Sequence, residues 1–114
     1  MTRFVLLCHN TTEHQFHWDF LFEESNACKT FSLSQEFVEE VQKTGTLKCR
    51  VKPLADHRLA YLDNEGPVSG DRGFVKRLDC GTCQRIAETV HFEGRFCRGT
   101  IDLRDAILVM TWDC

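Results

Sequence analysis

The seven residues His17–Glu23, HWDFLFE, alternate Trp18, Phe20 and Phe22 with His17, Asp19, Leu21 and Glu23. A period of two puts the three aromatic rings on one face of a strand and the other four residues on the opposite face. Same-face neighbours stand roughly 6.6–7 Å apart at their Cα atoms, close enough for His17 and Asp19 to converge on one ion. Imidazole plus carboxylate is a mixed nitrogen and oxygen donor set, suited to a hard divalent ion such as Mn²⁺. The competing reading is a solvated histidine beside a surface aspartate.

Working outward, RFVLLC (3–8) is short, apolar and β-favouring, and delivers His9 to the end of a neighbouring strand. His9 is therefore the candidate third ligand, while His14 lies in the polar connection NTTEHQF. After HWDFLFE, the turn EESNA leads into CKTFSL, whose renewed alternation predicts a returning antiparallel strand. The pattern then changes. SQEFVEEVQKTG opens on Ser34, carries acids early and Lys43 late, and stops at Gly45, which predicts one short helix around residues 35–44. Its packing face is Phe37, Val38 and Val41.

Leu47, Cys49 and Val51 alternate with Lys48, Arg50 and Lys52, a strand with a basic outer face that Pro53 is expected to end. The stretch PLADHRLAYLDNEGPVSGDRG (53–73) is rich in turn residues and reads as an active-site connection. Strands follow at 74–78, 86–92, 96–103 and 106–112, with a turn at DCGTC (79–83). Many short strands and one helix predict a mainly β domain, at the border of all-β and α+β, built as a small antiparallel β-barrel over residues 1–114.

Composition sets the class. Apolar residues make up 42% of the 114, with nine Phe and two Trp, enough to build a core without staples. Seven cysteines are an odd number, and the start MTRFVLLCHN has no long apolar export segment, so the expectation is free thiols in a cytoplasmic protein without a membrane span. A formal charge of −3 provides no global basic field, so nucleic-acid binding has to rest on a local patch.

Three further constellations carry chemistry. His57 and Tyr61 are four residues apart, which suits an acid or base beside a phosphate-binding hydroxyl, with Asp56 placed to orient the imidazole. The bland alternative is a packed tyrosine and an exposed histidine. Lys48, Arg50 and Lys52 form a stripe that can position a nucleic-acid backbone, or equally a charge-protected edge strand. Cys80-Gly-Thr-Cys83 has half the spacing of a zinc site, but no second ligand pair follows, so two thiols in a tight turn is the preferred reading.

RFVLLCHNTTEHQFHWDFLFE (3–23), ADHRLAYLDNEGPVSG (55–70) and RLDCGTC (77–83), taken in that order, resemble the 3′-phosphoesterase domain of bacterial DNA ligase D and the small stand-alone proteins related to it. The resemblance implies a barrel-like fold and a divalent-metal site, usually manganese. It also implies removal of 3′-phosphates and 3′-ribonucleotides from DNA or RNA–DNA ends, in company with ligase and polymerase repair proteins. It casts His9, His17 and Asp19 as metal ligands, and His57 and Tyr61 as the catalytic groups at the scissile phosphate. Two departures stand out: Leu21 occupies a position where that family has Arg, and Leu78 an aromatic position in its Trp-Asp-x-Gly turn. The alternative expectation is a weak or inactive barrel that binds nucleic acid or protein.

Overall fold

Alternating strands joined by tight turns can satisfy their backbone groups only by pairing laterally, and here they do so in one antiparallel sheet. The computed structural model describes residues 1–10, 15–63 and 74–113, and the backbone of 66–67. His14 and much of the 53–73 connection (64–65 and 68–73) lie outside the described residues. The strands are β1 (Thr2–Asn10), β2 (Phe16–Glu24), β3 (Ala27–Leu33), β4 (Thr46–Arg50), β5 (Lys52–His57), β6 (Gly66–Pro67), β7 (Phe74–Ile86), β8 (Thr89–Gly94), β9 (Cys97–Asp102) and β10 (Ile107–Trp112). The helix α1 spans Gln35–Thr44, and a 3-10 turn spans Leu59–Leu62.

The sheet order is β4-β10-β9-β8-β7-β1-β2-β3-β5, with β6 paired to β7. Its two end strands, β4 and β5, are separated in sequence only by Val51. The two edges therefore meet at that residue, and the sheet curls into a half-barrel. This is the mainly β architecture with one short helix that the alternation predicts. Among the described residues, no helix is long and apolar enough to cross a membrane.

Phe4, Phe20 and Phe92 form the centre of the concave side. Phe4 stacks on Phe20 with centroids 5.1 Å apart, and Phe92 stands 5.3 Å from Phe4 and 4.7 Å from Phe20. Each buried aromatic ring of this kind contributes about 1.5–3 kcal/mol relative to exposure. α1 lies against this core through Val38 and Val41. It ends as predicted at Gly45, whose φ of 80° a side chain would strain, and whose N–H bonds the Val41 carbonyl at 2.8 Å. Ser34 stands at the N-cap but makes no side-chain cap bond.

The opposite face of β1 and β2 is also partly covered. Val5, Leu7, Leu21 and Cys28 form a second apolar layer with Val75 and with Leu62 of the 3-10 turn. Leu21, which stands where the resembling family has a guanidinium, is buried in this layer.

Three expectations need correction. Residues 79–83 form no turn: β7 runs unbroken through DCGTC, paired to β1 as far as Cys83 and to β8 from Gly81 onward, with 81–83 held on both sides. The long strand is favoured because two partners use its backbone groups where a turn would strand them. Pro53 does not end the basic strand either. It sits inside β5, where an edge position asks for hydrogen bonds on one side only. Finally, Lys48, Arg50 and Lys52 do not share one strand, because the chain passes from one sheet edge to the other at Val51. Lys48 pairs with Val109 of β10 and Lys52 with Ser32 of β3.

Candidate metal centre

β1 and β2 pair so that His9 lies directly opposite His17, and Leu7 opposite Asp19. Cross-strand partners project to the same side, so the register brings both imidazoles and the carboxylate together on the face away from the aromatic core. The two rings meet edge to face with centroids 4.9 Å apart. His17 Nε2 is 3.2 Å from Asp19 Oδ1, and His9 Nδ1 is 4.0 Å from Asp19 Oδ2.

One potential ligand atom from each of the three residues lies within 4.8 Å of the others. Some point is then within about 2.8 Å of all three (4.8 Å divided by √3). Metal–nitrogen and metal–oxygen bonds are about 2.0–2.2 Å, so small side-chain rotations complete the approach. The group can hold a metal ion.

Asp19 supplies the test of fit. It is buried, yet among the described residues its Oδ1 has no hydrogen-bond partner, since His17 Nε2 lies near it without the alignment a hydrogen bond needs. A buried carboxylate oxygen without a donor costs free energy that a bound cation would recover. Contact with this carboxylate raises the His17 pKa, while partial burial acts in the opposite direction. The imidazoles must be neutral to ligate, so binding displaces protons and strengthens as pH rises through the histidine range.

A cleft of about 460 Å³ opens beside His17, with Ser32, Gln35, Arg50 and Lys52 among its walls. Two of the three predicted basic residues thus stay beside His17. Lys48 lines a different hollow with Glu40 and Val109. On the other flank, Arg77 of β7 is aligned with Leu7 and through it with Asp19, which places an exposed guanidinium on the same face. The sequence pattern did not single out this placement, because it depends on a register shift in β7 between the partners of Leu6 and Leu7.

His57 and Tyr61 form a second cluster, with ring centroids 5.0 Å apart in an edge-to-face contact. His57 aligns with Cys28, and Cys28 with Glu23, four residues along β2 from Asp19. At about 3.3 Å per residue, the backbones of His57 and Asp19 are offset by roughly 13 Å along the strand. Leu21 and Thr30 form the rung between them. Asp56, expected to orient His57, instead pairs with Lys29 at 3.3 Å. The group that meets His57 is the Thr30 hydroxyl, 3.0 Å from Nδ1.

The thiols stand apart from this chemistry. All six described cysteines are free. Burial pushes the Cys49 thiol up to about 11, and raises Cys83 and Cys97 too, which disfavours thiolate ligation. Cys80 and Cys83 are three apart on β7, so they point to opposite faces and cannot chelate one ion. The expected tight turn is absent, although the conclusion against a zinc pair stands on this new ground.

No protein-family model matches this chain, and no curated protein matches it.

Proposed function

We propose that this protein is a manganese-dependent phosphoesterase that processes the 3′ ends of DNA or RNA–DNA, leaving a hydroxyl that a polymerase or ligase can use. The observation that carries the reading is the convergence of His9, His17 and Asp19 on one point, with a buried Asp19 oxygen unsatisfied and a basic cleft alongside. The likeness of three separated segments to the 3′-phosphoesterase domain supplies the substrate class.

A bound Mn²⁺ would polarise a non-bridging phosphate oxygen and acidify the attacking water. The chain's own groups do the rest. His9, His17 and Asp19 fix the ion's position through two paired strands, a rigid support for three ligands. Arg50 and Lys52 draw the flanking phosphates into the cleft beside His17. Arg77 offers a guanidinium on the face where Leu21 provides none. The His57 ring reaches back to Thr30, one rung from Ser32 and Asp19, so a phosphate ester held at the metal group would present its leaving oxygen towards His57, which hands it a proton, while Tyr61 holds a phosphate oxygen.

The test is release of phosphate or a terminal ribonucleotide from a 3′-phosphate or 3′-ribonucleotide primer. Wild type should act with Mn²⁺ and stop with chelator, and His17→Ala should lose at least about 100-fold, as removal of a direct ligand exceeds the 10–100-fold typical of its supporting groups. Equal activity in His17→Ala, or none in wild type, overturns the reading. The second outcome would favour the alternative, a barrel that binds nucleic acid or protein without turnover, for which the burial of Leu21 under the 3-10 turn is the specific support.

A further inference from the structure

We propose that Thr30 is the positioning residue of His57: together with the Ala55 carbonyl it holds the Nδ1 proton, so that His57 exchanges protons through Nε2 alone. The catalytic part of this assignment rests on the proposed phosphoesterase reading, whereas the tautomer does not.

The direction of each hydrogen bond sets the tautomer. His57 Nδ1 lies 3.1 Å from the Ala55 carbonyl oxygen. A carbonyl oxygen only accepts, so Nδ1 must carry a proton. The Thr30 hydroxyl is 3.0 Å from the same Nδ1 and 3.2 Å from the Cys28 carbonyl oxygen. That carbonyl also only accepts, so the hydroxyl donates to Cys28 and turns a lone pair towards Nδ1–H. The donors run one way, from the imidazole through Thr30 to the backbone of β3. In the neutral ring Nε2 is then bare and accepts a proton, and in the cation it is the donor. Free neutral imidazole side chains favour the opposite tautomer, so the protein has to impose this one.

Burial gives the arrangement its weight. Thr30 is 2% exposed, and its cross-strand partner is Leu21 of the outer apolar layer. A hydroxyl among such neighbours is costly unless bonded, and valine would fill the same space without a polar atom. The position is therefore explained by what the hydroxyl does. Asp56, adjacent in sequence, is occupied by Lys29, so the ring is oriented by neutral partners. Tyr61 packs edge to face with the ring, centroids 5.0 Å apart.

The experiment is ¹⁵N NMR of the His57 imidazole in the metal-free full chain in alkaline buffer, with activity measured in parallel. Wild type should show a protonated Nδ1 and a bare Nε2. Thr30→Val should move the ring towards the Nε2–H form, and Thr30→Ser should restore the wild-type pattern. Thr30→Val should also lower kcat by about tenfold, part of the 10²–10⁴ that a general acid contributes, with KM within about twofold. A wild-type ring protonated on Nε2 overturns the proposal, and so does a Thr30→Val spectrum identical to wild type. Should Thr30→Val fail to fold, the wild-type and Thr30→Ser spectra still decide the tautomer. Loss of the phosphoesterase reading would appear separately, as an inactive wild type whose ring nevertheless shows the expected form.

Discussion

Asp19 and Asp79 are both buried carboxylates, and their surroundings are opposites. Asp79, on β7, accepts hydrogen bonds from four backbone N–H groups: Cys80 at 2.8 Å, and Arg95, Phe96 and Cys97 at 2.9 Å each. It ties the turn between β8 and β9 down onto β7. Asp19, two strands away, has one oxygen that accepts no hydrogen bond among the described residues. Gly94 makes the first arrangement possible, since a Cβ there would overlap the Asp79 carboxylate and the Phe4 ring. Two buried acids thus differ: one is satisfied by the fold, and the other has an oxygen that a cation could take up.

The sharpest way to break this contrast is to remove each carboxylate in metal-free protein. Asp79→Ala would strand the buried Cys97 N–H and three part-buried backbone donors, and should lose about 3 kcal/mol in urea unfolding. Asp19→Ala should lose less than about 1 kcal/mol, because it removes a group that has no hydrogen-bond donor at Oδ1. Equal losses would dissolve the distinction.

Metal addition tests the other half. Mn²⁺ at a hundred times its dissociation constant should stabilise wild type by about 2.7 kcal/mol, raising Tm by about 10 °C. Asp19→Asn should abolish the shift, and Tyr61→Phe, which leaves the three ligands in place, should keep it. A shift that survives in Asp19→Asn would place the ion elsewhere.

The smallest effect is on the acid limb. Burial pushes the Asp79 pKa up, but the Phe96, Cys97 and Cys80 donors outweigh it and hold the group below its ordinary 3.8. A carboxyl depressed by folding adds stability in full above its unfolded pKa, and that stability is lost as pH falls through the folded value. The wild-type urea midpoint should therefore fall below about pH 4, and Asp79→Asn should flatten that limb. An unchanged slope would mean that the four donors do not favour the ionised form.

The sequence made a good part of this legible. HWDFLFE showed a two-faced strand, EESNA its hairpin, and Ser34 to Gly45 the single helix, because each pattern depends on neighbours within a few residues. The nomination of His9 with His17 and Asp19 also came from strand parity and order along the chain. Asp56 misled for the same local reason: it is adjacent to His57 in sequence but faces the other side of an edge strand, towards Lys29. The turn assigned to DCGTC was the signal of glycine and small polar residues, overridden by two partner strands on β7.

The order of residue types along the chain sets the period of each element and therefore which side chains share a face. Tertiary structure alone decided which faces meet. Strand register set His9 opposite His17, and a single residue at Val51 carried Lys52 away from Lys48 to the far edge of the sheet. The same register put a threonine, rather than an aspartate, against His57. These contacts join residues up to 27 positions apart, so they are fixed by cross-strand pairing and burial, which no local pattern encodes.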